Sequence, residues 1–156
     1  MKIKLIAVGD LQQAHLKEGT LLFEKRLQHY IPYSTDIIKP PRAAKSARPD
    51  QSVKLEAELI FQKLEGVDYC IVLDERGKTM GSEVFAEQLR KLMIASTRSV
   101  AFVIGGSYGL DESVRKKANL VLSLSPMTFT HEMARFFLTE QIYRAMSILK
   151  NEKYHH

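Results

Sequence analysis

The sequence predicts an α/β fold, a mainly parallel sheet with helices on both faces. Three observations predict it. Strand-like and helix-like segments alternate from one end to the other. The later strand-like runs are apolar at every position instead of every second one, as in a sheet covered on both faces. Three loops, at residues 74–78, 105–110 and 124–130, follow the ends of such runs, where ligands of parallel sheets bind.

The elements follow in order. Residues 2–8 form the first strand, broken by Gly9 and Asp10. Residues 14–30 carry a helical pattern, apolar at Leu16, Leu21, Leu22 and Leu27. Residues 33–39, with Ile37 and Ile38, give the second strand. Residues 40–49 are basic and bounded by prolines, a loop that either touches phosphates or is simply solvated. Residues 52–64 form a second helix, apolar at Val53, Leu55, Leu59, Ile60 and Leu64. Residues 69–73 form a buried-type strand, and 74–78 a turn. Residues 82–94 form a third helix with Ser82 as its N-cap. Residues 100–104 form a strand throughout apolar. Asp111 caps a short helix reaching Lys117, residues 120–122 give a fifth strand, and residues 131–150 form a final helix about 30 Å long.

At 156 residues the chain is expected to be one domain, residues 1–156, large enough to bury a core. No apolar run approaches the roughly 20 residues that span a bilayer. The N-terminus leads straight into a strand pattern, without a signal-peptide h-region. Cys70 is the single cysteine and lies in an apolar run, as a buried thiol would. A cytoplasmic protein without membrane association is expected. The net charge of +5 and pI near 9.3 suit a polyanionic partner but do not demand one. Five histidines without paired cysteines give no reason to expect a metal.

Two loops carry the chemistry. Residues 105–109, Gly-Gly-Ser-Tyr-Gly, match neither the dinucleotide fingerprint nor a P-loop. Gly105 lets backbone approach a ligand, or simply makes a tight turn. Leu124, Ser125, Pro126, Met127, Thr128 and Phe129 offer backbone groups, hydroxyls and apolar surface for a flat ring. With no cation, this loop suits a nucleoside better than a phosphate. His131 and Arg135, four apart at the start of the last helix, share a face. A helix N-terminus disfavours a protonated histidine, so His131 is a candidate neutral base and Arg135 a candidate phosphate or base contact. Surface packing and ion pairs with Glu132 or Glu140 are the plain alternatives. Arg144, nine residues beyond Arg135, points the opposite way, so the two cannot serve one site on one subunit. Tyr154 and His155, at the extreme C-terminus, would ordinarily be frayed.

Taken in order, these motifs resemble the ribosomal RNA large-subunit methyltransferase H family of the SPOUT methyltransferases. The likeness runs from Ile6-Ala7-Val8-Gly9 through Leu73-Asp74-x-x-Gly77-Lys78 and Ile104-Gly105-Gly106-x-x-Gly109-Leu110. It continues in Ser123-Leu124-Ser125-x-Met127-Thr128-Phe129, His131-x-x-x-Arg135 and Glu140-Gln141-x-Tyr143-Arg144-Ala145, and ends at Tyr154-His155. The resemblance implies a SPOUT-type C-terminal trefoil knot, rare among folds. It implies a homodimer with its active site at the subunit interface. It implies S-adenosylmethionine as methyl donor, held by Leu73, Gly105 and Leu124 to Phe129. The reaction it implies is methylation of N3 of a pseudouridine in 23S rRNA on the assembled 70S ribosome. Tyr154 and His155 would then lie near the target base, Arg135 and Arg144 would contact RNA or the developing imide anion, and His131 would lie beside the cofactor loop.

One position departs from the family pattern. Thr130 stands where the family has proline, offering a hydroxyl N-cap in place of a fixed φ. A SPOUT enzyme acting on another RNA such as tRNA, or a catalytically idle RNA-binding or ribosome-binding paralogue, are the alternatives.

Overall fold

A computed structural model describes residues 1–40 and 47–155, with His155 described by its backbone alone. The basic loop read at 40–49 therefore falls mostly outside the described residues, as does the His155 side chain.

Among the described residues, five strands alternate with five helices. They are β1 (Lys2–Val8), α1 (Ala14–Leu27), β2 (Tyr33–Ile38), α2 (Pro49–Leu64), β3 (Tyr69–Thr79), α3 (Ser82–Ile94), β4 (Ser99–Ile104), α4 (Glu112–Lys117), β5 (Leu120–Ser123) and α5 (His131–Leu149), followed by a 3-10 turn at Lys153–His155. The strands form one sheet in the order β2-β1-β4-β3-β5, and every pairing is parallel.

The apolar runs are explained by burial on both faces. On β1, Ile3, Leu5 and Ala7 face one core while Ile6 and Val8 face the other. Along β4, Val100, Phe102 and Ile104 alternate with Ala101 and Val103 in the same way. The first core is closed by α3 and α5 (Phe85, Leu89, Leu138, Ile142) with Leu27 of α1. The second is closed by α2 and α4, through Ala57, Ile60 and Val114. Cys70 is buried in the second core, where desolvation pushes its thiol up to about 11.

Four features differ from the sequence expectation by more than a one-residue shift of an end. Helix α1 stops at Leu27, not Tyr30, because the N–H groups of His29 and Tyr30 turn to the carbonyls three residues back, of Arg26 and Leu27. Helix α2 starts three residues early, since Pro49 is tolerated in a first turn. Ser82 is not the N-cap of α3. Gly81 is, without a side-chain cap, and Ser82 Oγ instead donates to Gln141 Oε1 at 2.7 Å, tying α3 to α5. Residues 74–78 are not a separate turn. Strand β3 runs through them, and the register against β5 slips so that Leu73 and Lys78 both face Leu122. Gly77 permits the slip, because a Cβ there would lie 2.7 Å from the Val121 and Leu122 backbone. The caps expected at Asp111 and Thr130 are present, accepting from the N–H groups of Ser113 and Met133.

The second core contains one acid. Glu56 of α2 is 6% exposed, and its main partner is Ser52 Oγ at 3.3 Å. Burial raises its pKa above the ordinary carboxylate value. An acid raised in the folded state stabilises the fold below its unfolded pKa and loses that contribution as pH climbs through the folded value. Glu56→Gln is therefore expected to raise stability at pH 7 to 8 by about 1 kcal/mol. Denaturant unfolding of both proteins should show the gain shrinking to nothing as pH falls below the carboxylate range, and a gain constant with pH would refute the assignment.

Candidate functional site

A cleft of about 600 Å3 opens beyond the C-terminal ends of β3, β4 and β5. The three loops named from the sequence build it. The β3 excursion contributes Leu73, Asp74, Glu75 and Arg76. The β4 loop contributes Ile104 to Leu110. The β5 loop contributes Leu124, Ser125, Met127, Thr128 and Phe129, and the start of α5 adds His131 and Glu132. Pro126 is exposed and does not line the cleft.

Backbone makes much of this wall. A Cβ on Gly105 would lie 2.6 Å from the Gly109 carbonyl carbon and 2.8 Å from Leu110 Cγ, so nothing larger than glycine fits there. Gly109 holds a φ of +78°, the left-handed geometry glycine adopts freely. The β5 loop fixes itself. Ser123 Oγ donates to the Ser125 carbonyl at 2.8 Å, and the Met127 N–H donates to Ser125 Oγ at 3.0 Å. Thr128 Oγ1 donates to Glu75 Oε2 at 2.7 Å, joining the β5 and β3 loops. Phe129 packs on Phe137 of α5, ring centres 5.1 Å apart. The β3 excursion is organised by Asp74, which accepts from the N–H and guanidinium of Arg76 and pairs with Arg115 at 3.4 Å. Those bonds, with Arg76 first, hold its carboxyl below the usual range.

His131 and Arg135 share a helix face but not a cavity. His131 reaches toward Gly9 at the end of β1, its Nε2 3.8 Å from where a Cβ on Gly9 would be, and lines the cleft. Arg135 lines a second cavity of about 420 Å3 between α1 and α5. Between them stands Glu132, 7% exposed, whose Oε2 accepts the backbone N–H groups of Gln12 at 2.8 Å and Gln13 at 3.0 Å. An acid in a first turn reads from sequence only as a partner for the helix dipole, so nothing marked this contact across 120 residues.

Arg144 and Tyr154 lie at the other end of α5. Thirteen residues separate Arg144 from His131, about 20 Å of helix. Arg144 donates to Glu140 Oε1 at 2.6 and 3.0 Å, and its guanidinium lies 4.8 Å from the centre of the Tyr154 ring. The Tyr154 hydroxyl donates to the same Glu140 oxygen at 3.0 Å. Burial, then that bond, raises its pKa, so it acts as a donor and not as a base. The opposite facing of Arg135 and Arg144 expected from helical spacing is present: they serve different neighbourhoods of one chain. Among the described residues no cluster of three His, Cys, Asp or Glu side chains could hold a metal, and no helix is long and apolar enough to cross a membrane.

Two substitutions probe this geometry. Glu132→Gln keeps the shape but weakens two charge-assisted hydrogen bonds, and is expected to cost about 2 kcal/mol. Calorimetric binding of S-adenosylmethionine should weaken with it, and intact stability and affinity together would contradict the clamp. Thr130 already holds a φ of −63°, the value proline imposes. Thr130→Pro is expected to lose a cap of about 1 kcal/mol and to regain most of that by restricting the unfolded chain. Its melting temperature should stay close to the parent's while cofactor affinity rises slightly; unchanged affinity would count against a rigidity effect.

The comparisons with known proteins agree with this architecture. The family model described as "Predicted SPOUT methyltransferase" matches residues 1–155. The chain is 43% identical to "Ribosomal RNA large subunit methyltransferase H" of Christiangramia forsetii, covering 100% of this chain and 99% of that one. It is 44% identical, with the same coverage, to the protein of that name from Flavobacterium johnsoniae. Among solved structures it is similar to a probable methylase family protein from Haemophilus influenzae Rd KW20, with a TM-score of 0.58 at 16% identity, over 97% of this chain and 69% of that one. A match of this extent, over a cleft built by the same three loops, means that the chain belongs to the SPOUT methyltransferase family.

Proposed function

We propose that this protein transfers a methyl group from S-adenosylmethionine to N3 of a pseudouridine in 23S rRNA, on the assembled 70S ribosome in the cytoplasm. The observation that carries the reading is the cleft beyond β3, β4 and β5, whose three loops lie in a chain that full-length ribosomal RNA methyltransferases match end to end. The cleft fits the donor. Bare backbone at Gly105 admits close approach, while Leu73, Leu124 and Phe129 give apolar surface for an adenine ring. In this reading Leu73, Gly105, Leu124, Ser125, Met127, Thr128 and Phe129 hold the donor, and Pro126 stiffens the loop from outside. The trefoil knot expected of the family goes with this site, supported by the placing of β5 beyond β3 at the sheet edge.

Bound there, S-adenosylmethionine supplies a methyl on a sulfonium sulfur, which needs no metal to react. The protein must bring N3 into line and remove its proton. His131 lines the cleft and its ring has no hydrogen bond among the described residues, so it is the side chain we assign to receive that proton. Arg135 and Arg144 are assigned to RNA or to the imide charge as it develops. Tyr154 lies too far along α5 to serve the cleft of its own chain. Tyr154 and His155 are therefore assigned to the cleft of a second copy in a homodimer. Leu21 and Leu22 of α1, 53% and 48% exposed, suit such an interface.

The deciding experiment supplies radiolabelled S-adenosylmethionine with 70S ribosomes, separate subunits, free rRNA and tRNA from cells lacking the endogenous enzyme. Label in 23S rRNA from 70S ribosomes alone, mapping to N3 of a pseudouridine, is the expected result. Label in tRNA would replace the substrate. No label with intact donor binding would overturn the assignment to RNA methylation.

A further inference from the structure

The charges that line the cleft are not all matched within the protein. Among the described residues, and apart from His131, they are Asp74, Glu75, Arg76, Arg115 and Glu132. Asp74 takes both guanidiniums: Arg76 donates to it at 2.9 and 3.0 Å, and Arg115 pairs with it at 3.4 Å. Arg115 also donates to the Leu110 carbonyl. Glu132 is held by the N–H groups of Gln12 and Gln13. Glu75 belongs to none of these pairs. Its charge reaches Arg76, but behind that of Asp74. Three carboxylates against two guanidiniums leave one negative charge over, and the pairing places it on Glu75.

Glu75 is exposed and lines the cleft, so an occupant can meet it. Its position is nevertheless fixed, because its Oε2 accepts from Thr128 Oγ1 at 2.7 Å. The loop it touches, residues 124–130, contains no charged residue that could neutralise it. Such a group repels an RNA phosphate and draws a cation. S-adenosylmethionine carries a cation at the reacting atom, its sulfonium sulfur. On transfer the C–S bond breaks with its electron pair left on sulfur, the methyl takes the place of the N3 proton, and the sulfur becomes a neutral thioether. The spent donor therefore keeps the whole nucleoside and loses one methyl and one charge. The reacting sulfur must lie between the nucleoside and the base being methylated. Glu75 meets the loop in that interval, at Thr128, three residues before His131.

We propose that Glu75 is a specificity-determining residue that faces the sulfonium of the bound donor and sets how much more tightly the cleft holds S-adenosylmethionine than the spent, uncharged S-adenosylhomocysteine. The inference rests on the donor-binding reading above and adds a residue which that reading leaves unassigned. Backbone and apolar surface hold the nucleoside that both ligands share. One carboxylate tells them apart, because specificity is a difference of affinities. An exposed charge pair contributes modestly, so the discrimination is a few-fold, enough to favour the exchange of spent donor for fresh.

The test titrates each ligand into the full chain by calorimetry and reads the ratio of the two dissociation constants. Glu75→Gln keeps an acceptor for Thr128 and removes only the charge. It is expected to weaken S-adenosylmethionine about fivefold and to leave S-adenosylhomocysteine unchanged, with the difference shrinking as ionic strength rises toward about 1 M. Thr128→Val removes the brace and keeps the charge, and is expected to weaken both ligands alike. A Glu75→Gln protein that loses both ligands equally, or neither, overturns the proposal. So does a ratio shifted as far by Thr128→Val as by Glu75→Gln. A parent that binds neither ligand refutes the donor reading itself, whereas a parent that binds both, with a ratio Glu75→Gln does not change, refutes the sulfonium contact alone.

Discussion

The two cavities described above depend on one buried carboxylate. Glu132, in the first turn of α5, accepts two backbone N–H groups from the segment joining β1 to α1. A carboxylate buried this far is tolerable only when its charge is matched by donors, and here helix geometry and a distant loop supply them together. The contact fixes where α5 begins relative to the sheet. From that follows the direction in which His131 enters one cavity and Arg135 the other. The Thr130 cap acts at the same point, accepting from Met133 and ending the β5 loop where the helix must start.

Helix α5 then works as a ruler with different chemistry at its two ends. Its first turn meets the cleft beyond β3, β4 and β5. Its middle, Leu138 and Ile142, is buried in the first core and cannot move without disturbing the sheet. Its last turns carry Arg144 and Glu140, with Tyr154 folded back upon them and its ring 4.7 Å from that of Tyr143. Exposed ion pairs contribute little. This one is half-buried, receives a phenol hydroxyl on the same oxygen, and is stacked by an aromatic ring, so the tail is held firmly in its own chain's frame.

What was legible in the sequence was what depends on local periodicity. Continuous apolar strands announced a sheet buried on both faces, and Asp111 and Thr130 announced their caps. Motif order carried the family, and the three loops it names line the cleft beyond β3, β4 and β5. What was hidden depends on contacts between distant residues. Ser82 reads as a cap, yet its hydroxyl is taken by Gln141, 59 residues away. Residues 74–78 read as a turn because Asp and Gly favour turns, yet β5 pairs on both sides of them, and only the backbone crowding at Gly77 reveals that. His131 and Arg135 read as one site because four residues bring side chains together on a helix. A wall supplied by Gln12 and Gln13 divides them.

The two cavities differ in how sequence controls them. The cleft assigned to the donor is made largely of backbone, so its shape is set by glycine positions and by hydroxyls that brace the loops. Side chains there can change while the surface presented to a nucleoside stays the same. The second cavity is walled mainly by side chains, Asp10, Lys17, Thr20, Glu24 and Arg135 among them, so its shape and charge change whenever one of them does. A donor common to many enzymes needs only the first kind of site. Glu132 stands where the two kinds of wall meet, so one buried carboxylate sets the shape of the backbone-built cleft and of the side-chain-built cavity together.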